Sequence, residues 1–299
     1  MLADMAACST KAWLRYYKKV TAAAQSSPAA AGVAVHAGLE AYWRTSNVDD
    51  GLTAFDDVYR AHADEFVPDD DRLSFNNVRR TLEVYFKRNP VETLPFRIRR
   101  DLVELPFSAQ LSDNVVLVGQ PDAIVETYDT GNLYILDHKT TGNANDMWKA
   151  KFKIAPQLTA YIWAAREQLG APVEGAFINL IELRKIPSST RKCPEHGVHY
   201  AECGPQHSKT ELLGPILRSD QQIAQWKKMA VTIAERYRAL ILEHTDTRNC
   251  TNVPTEGIFH GACGFCEFQD YCYTGKNPAL ESMFVPSVYD PYKGMIPTE

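Results

Sequence analysis

No stretch of this 299-residue chain is apolar over the roughly 20 residues that a helix needs to cross a bilayer. The N-terminus lacks a basic segment followed by an apolar one, the pattern of a secretory leader, so the cytoplasm is the expected location. Internal repeats and extended low-complexity tracts are missing too, which leaves one large globular domain or two average ones. Nor is there an excess of basic charge. The formal net charge of −5 argues against nonspecific attraction to nucleic acid, although it leaves room for a local basic groove. Basic clusters do occur at Arg97, Arg99 and Arg100, at Lys149, Lys151 and Lys153, and at Arg184, Lys185, Arg191 and Lys192. By default each is a solvated surface. The seven cysteines are an odd number without a secretory leader, which speaks against a disulfide framework; their spacing points to metal. The hydrophobic fraction of 45% and charged fraction of 23% are ordinary for a globular protein and name no class.

The stretch Leu133 to Thr140, L-Y-I-L-D-H-K-T, reads as a buried strand that follows a turn at Asp129, Thr130, Gly131 and Asn132. Side chains on a strand alternate faces, so Asp137 and Lys139 share one side and His138 points to the other. Taken alone, such a D-x-K triplet is a solvated ion pair at a strand end. Its neighbours along the chain decide whether it is more.

Trp13, Leu14, Tyr16 and Tyr17 suggest a helix with an aromatic face, and Thr21 to Ala31 reads as a loose connection. From about Gly32, Val35, Leu39, Tyr42 and Trp43 form one apolar helical stripe with His36 beside it. Further helices are expected over Leu52 to Phe66 and Leu73 to Phe86. Short strands follow at Leu102 to Phe107, Val115 to Val118, Asp122 to Thr127 and Leu133 to Asp137, spaced for an antiparallel meander. Glu104 and Asp122 lie on them, and a carboxylate among apolar neighbours is costly to bury unless it is paired or holds a cation. A helix from about Ile154 to Gln168 puts Gln157 and Tyr161 on one face. Val173 to Leu183 reads as a central strand. An insertion over 187–208 precedes a return strand at Glu211 to Leu217 and a long helix, capped by Ser219 or Asp220, to about Glu243.

Near the C-terminus Cys263, Cys266 and Cys272 form C-x2-C-x5-C, in which a C-x2-C turn lets two thiolates meet one metal centre. A fourth ligand must come from elsewhere, and Cys8, Cys250, Cys193 and Cys203 are the candidates. The insertion carries its own pattern, Cys193, His196, His199 and Cys203, which could staple a hairpin around Zn2+.

Five features in this order resemble the RecB-like exonuclease branch of the PD-(D/E)XK nuclease superfamily: G-V-A-V-H with His36, V-G-Q-P-D with Asp122, L-D-H-K with Asp137 and Lys139, Q-L-T-A-Y with Gln157 and Tyr161, and the cysteine frame. The cysteines are similar to those of its iron-sulfur subgroup, which includes CRISPR-associated adaptation nucleases, AddAB-type nuclease domains and phage relatives. The resemblance implies an α/β restriction-endonuclease-like core over 1–299, a mixed central sheet flanked by helices. It also implies a cysteine-rich segment at 250–275 and a 4Fe-4S cluster on Cys8, Cys263, Cys266 and Cys272 that ties the chain ends together. It further implies Mg2+ or Mn2+ held by His36, Asp122, Asp137 and the backbone carbonyl of His138. Lys139 would position the attacking water or stabilise charge on phosphorus, with Gln157 and Tyr161 orienting Lys139 and the DNA backbone. Glu104 would be an outer-shell residue.

The expected activity is a metal-dependent DNA exonuclease acting on single-stranded ends in DNA processing, recombination or repair, with a helicase, recombinase or integrase as candidate partner. A DNA-binding or scaffolding module with a vestigial or partner-dependent site is the alternative. A zinc-stapled protein without iron is a third reading.

Overall fold

A computed structural model describes residues 1–22, 27–62, 71–184, 192–193, 197–199, 209–244 and 252–287. In chain order the elements are α1 (Leu2–Ala7), α2 (Ser9–Ala12), a π-helical turn (Trp13–Tyr17), β1 (Val20–Ala22), α3 (Ser27–Thr45), α4 (Val48–Ala61) and α5 (Phe75–Arg88). Five strands follow: β2 (Phe96–Val103), β3 (Phe107–Ser112), β4 (Val115–Gly119), β5 (Ala123–Thr127) and β6 (Leu133–Thr141). Then come α6 (Asp146–Ala150), a 3-10 turn (Lys151–Ile154), α7 (Pro156–Leu169), β7 (Val173–Glu182), β8 (Thr210–Leu217), α8 (Asp220–His244), α9 (Gln269–Tyr273) and β9 (Phe284–Pro286). No described helix is long and apolar enough to cross a membrane. The chain divides into two compact units.

The larger unit, Gln25–Ser108 with Gly119–Ile223, holds a five-stranded mixed sheet in the order β2-β5-β6-β7-β8. β6 lies at its centre, antiparallel to β5 and parallel to β7. The parallel step needs a crossover, and α7 supplies it. On one face α3, α4 and α5 cover the sheet with Val35, Leu39, Trp43, Phe55, Leu82 and Phe86, all buried. Burial of each such side chain contributes about 1.5–3 kcal/mol. α3 and α4 cross closely because glycines face each other. A Cβ on Gly38 would sit 3.0 Å from the Gly51 carbonyl oxygen, and one on Gly51 would sit 3.0 Å from that of Gly38.

The smaller unit is Met1–Ala24, Ala109–Val118 and Ala224–Glu299. It brings the described ends of the chain together. β1 pairs antiparallel with β9, and Trp13 and Leu14 pack with Val253, Phe268 and Tyr271 in one buried cluster. Glu256 accepts from both the Ser9 amide (2.8 Å) and the Ser9 hydroxyl (2.6 Å). Tyr237 Oη donates to the Ala12 carbonyl at 3.1 Å.

Several expectations need correction. α3 begins at Ser27, so Thr21 to Ala31 is not all connection. The first long strand begins at Phe96 rather than Leu102. Its alternation F-R-I-R-R-D hides an edge strand whose outward residues are charged. There Arg99 pairs with Asp101 at 3.0 Å and reaches Glu126 at 3.7 Å, and Arg97 lies 3.6 Å from Glu126, so two of the three arginines have acidic partners, while Arg100 donates to the neutral Ser46 Oγ at 2.7 Å. The meander is broken as well. β3 and β4 form a separate two-stranded sheet. The aromatic N-terminal helix is α2 followed by the π-helical turn. The helices expected at Leu52 and Leu73 begin at Val48 and Phe75 instead. Ser219 does cap α8, accepting from the Gln222 amide at 3.2 Å while Gln222 Oε1 accepts from the Ser219 amide at 2.9 Å.

Candidate active site

The register Ala123↔Leu136 between β5 and β6 brings Asp122, one residue before β5, level with Asp137. Strand alternation sends Leu136 and His138 to the face covered by α3 to α5 and Asp137 and Lys139 to the other. The Asp137 carboxylate is buried, and Lys139 Nζ lies 2.6 Å from its Oδ2. Asp122 joins two elements. Its Oδ1 is 3.2 Å from His36 Nδ1 on α3, and its Oδ2 accepts from the backbone amide of His138.

Glu104 completes the cluster. It follows β2 with a φ of 50°, a left-handed turn held by its amide donating to the Asp122 carbonyl at 3.0 Å. One ligand atom each from His36, Glu104 and Asp122 lie within 4.8 Å of one another. This imidazole and two carboxylates suit a divalent cation that keeps positions open for water. Asp137 stands outside that triad and faces Lys139.

Electrostatics follow from burial and proximity. Burial pushes Asp122 up, but the hydrogen bond and charge of His36 outweigh it and bring the carboxyl down to about 2. Asp137 rises to about 6, chiefly through burial, with Lys139 opposing and Asp122 adding to the rise. Burial, then the charges of Asp122 and Glu40, push Glu104 up to about 8. A divalent cation bound at the triad would displace the proton from Glu104.

His138 accepts through Nδ1 from Asn179 Nδ2 at 2.8 Å, and the same amide donates to Tyr85 Oη at 2.9 Å. The Trp43 ring meets His138 edge-on at 4.8 Å. Burial drops His138 to about 3, so it is a neutral packing residue whose backbone serves Asp122. On α7 Gln157 Nε2 donates to Tyr161 Oη at 3.0 Å. The two bond to each other, while Lys139 is paired with Asp137. Burial raises the Tyr161 hydroxyl, and the charges of Asp137, Asp122 and Glu104 raise it further.

Sequence reasoning undervalued Glu104 and missed Asn179 and Tyr85. Asn179 left a signal: a lone amide inside V-E-G-A-F-I-N-L-I must find partners when buried.

In the smaller unit Cys8, Cys263, Cys266 and Cys272 line one cavity of about 320 Å³, and none of the four is in a disulfide. Cys8 sits extended between α1 and α2. Gly257 makes the close approach possible, because a Cβ there would lie 3.2 Å from Cys263 Sγ. Among the described residues no three of these sulfurs lie within 4.8 Å of one another. Cys193 is buried; His196, Cys203 and Cys250 lie outside the described residues.

Paired carboxylates, an imidazole and a lysine gathered at one mixed sheet are a set that metal-assisted phosphodiester hydrolysis can use, the class of chemistry that an α/β nuclease carries out. The chain belongs to the PD-(D/E)XK nuclease superfamily, whose family model matches residues 1–273. That membership implies a nuclease with DNA as substrate and divalent metal as its ion. No curated protein matches the chain. A solved structure described as the crystal structure of SSO0001 matches at 14% identity over 82% of this chain and 85% of that one, with a TM-score of 0.33.

Proposed function

We propose that this chain is a metal-dependent DNA exonuclease of the RecB-like branch that degrades single-stranded ends, working as one nuclease domain over 1–299 with an insertion at 187–208. One observation carries the reading: the Asp122 carboxylate ties His36 to the His138 amide and so sets Asp137 and Lys139 beside a His36–Glu104–Asp122 triad. His36, Glu104 and Asp122, with Asp137 and the His138 carbonyl, would hold Mg2+ or Mn2+. When bound, such a cation would supply Lewis acidity and make water a better nucleophile at neutral pH. Lys139 orients that water and balances charge developing on phosphorus. Asp137 keeps the ammonium in place, and the Gln157–Tyr161 pair presents polar atoms to the DNA backbone.

Cys8, Cys263, Cys266 and Cys272 are proposed to hold a 4Fe-4S cluster that ties the two chain ends. Four cysteines around one cavity, none in a disulfide, support it. Zn2+ at Cys193, His196, His199 and Cys203 rests on ligand types alone.

Digestion of 5′- and 3′-labelled single- and double-stranded DNA with Mg2+ or Mn2+ tests the proposal. Progressive loss of end label from single strands supports it. Pure protein that binds single-stranded DNA but releases no nucleotides would replace it with the scaffolding reading, in which a helicase, recombinase or integrase partner completes the site.

A further inference from the structure

The segment after β6 carries a cation that the reaction described above does not use. Asn145 caps α6, its side chain accepting from the Trp148 amide at 2.8 Å. Trp148 and Lys151, three residues apart, then share one side of the turn. Lys151 Nζ lies 4.2 Å from the Trp148 ring centre and 5.0 Å from that of Phe152. The two rings meet edge to face at 4.8 Å, and Phe152 is buried, so the platform under the ammonium is braced by the core.

The neighbouring lysines differ. Lys149 Nζ is 2.5 Å from Glu211 Oε2, and Lys139 is paired with Asp137. Among the described residues no carboxylate forms an ion pair with Lys151. The Trp148 ring holds the ammonium by its electron-rich face and leaves its charge intact. Glu211, which holds Lys149, stands opposite Leu180 on β7, and Leu180 stands opposite Lys139 on β6, so the turn that carries Lys151 lies at the level of the Asp137–Lys139 pair; in keeping with this, burial and then the charge of Lys139 lower the Lys151 pKa. Two like charges, one without a counter-ion, are unfavourable in the free protein and are relieved by an anion placed against them.

Resting on the nuclease reading, we infer that Lys151, held in position by Trp148, binds the phosphate next to the scissile one and so sets the register of the strand at the metal site. Lys151 is the phosphate contact and Trp148 its positioning residue. Lys149, already neutralised on the same turn, is the built-in control.

The test measures binding of labelled oligothymidylate without metal over a series of salt concentrations, together with Mn2+-dependent digestion kinetics. Lys151→Ala weakens binding several-fold and flattens the log affinity against log salt slope by about 0.7, the share of one single-strand phosphate. It raises KM with kcat little changed, and Lys151→Arg restores KM. Trp148→Leu raises KM in the same way, and Trp148→Tyr restores it. Lys149→Ala alters neither slope nor KM. If wild-type protein digests DNA while Lys151→Ala keeps the wild-type slope and KM, or Lys149→Ala loses as much, the inference fails and the nuclease reading stands. Wild-type protein that neither binds nor digests DNA overturns both.

Discussion

Asp137 and Lys139 stand two residues apart on one face of β6, with Nζ 2.6 Å from Oδ2, the carboxylate side chain 3% exposed and the lysine side chain 27% exposed. A buried acid is thus tied to a cation that reaches the surface. On the proposed mechanism, removing the lysine takes away the group that orients water and balances charge developing on phosphorus. Lys139→Ala is expected to reduce Mn2+-dependent digestion by about 10²–10⁴-fold. Because Asp137 already titrates high, it takes up a proton in the variant, which limits the loss of stability. End-label digestion beside a thermal melt checks both halves; wild-type digestion rates in the variant would remove Lys139 from the mechanism.

The raised acids make metal-free stability depend on pH. A carboxyl whose folded pKa lies above its unfolded value contributes stability that is present at low pH and lost as pH rises through the folded value. For Asp137 that loss runs from about 4 to about 6, and for Glu104 from about 4.5 to about 8. Asp122, lowered to about 2, works the other way: its contribution is lost as pH falls below about 4. In the proposed site a divalent cation would displace the protons on Asp137 and Glu104, so the rise in melting temperature on adding Mn2+ should grow between pH 5 and 9. A constant Mn2+ effect across that range would contradict this assignment of ligands.

Asn179 supplies the donors that His138 Nδ1 and Tyr85 Oη accept inside the core. Asn179→Ala leaves both acceptors buried without that partner, and stability should fall by about 1–3 kcal/mol. Urea unfolding would show a lower midpoint at unchanged m.

Gly38→Ala pits helix propensity against packing. Alanine gains up to about 1 kcal/mol over glycine in a helix. Here its Cβ would meet the Gly51 carbonyl oxygen at 3.0 Å, Phe55 Cβ at 3.2 Å and Leu82 Cδ1 at 3.3 Å. The first is backbone and the second sits at the root of its side chain, so neither yields without moving α4. Net destabilisation of about 1–3 kcal/mol is expected, read by thermal or urea denaturation.

Cys8→Ser tests the cluster separately from the nuclease site. Protein purified without oxygen should lose iron, lose its thiolate-to-iron absorption and melt at lower temperature. Unchanged thermal stability after cluster loss would end the structural role given to the cysteines. A colourless wild-type protein containing zinc would replace iron with zinc.

Periodicity carries further than any single residue. Alternation along L-Y-I-L-D-H-K-T was enough to put Asp137 with Lys139 and His138 apart from them, because a strand has only two faces. The four-residue spacing of Gln157 and Tyr161 likewise made them neighbours on α7. The edge strand β2 was harder to bound. Its arginines read as a solvated basic cluster, and only the fold places Glu126 and Asp101 beside Arg97 and Arg99.

What the sequence determined by itself is therefore local: which side chains share a strand face or helix face, and which thiols are close enough in the chain to act together. Tertiary structure alone decided the rest. It placed His36, 86 residues before Asp122, against that carboxylate and turned Glu104 into the triad through a left-handed backbone step. It also brought Cys8 to the C-terminal cysteines. The physical reason is that these contacts depend on β5–β6 register, on a positive φ and on the packing of the chain's two ends, and none of these leaves a period in the sequence.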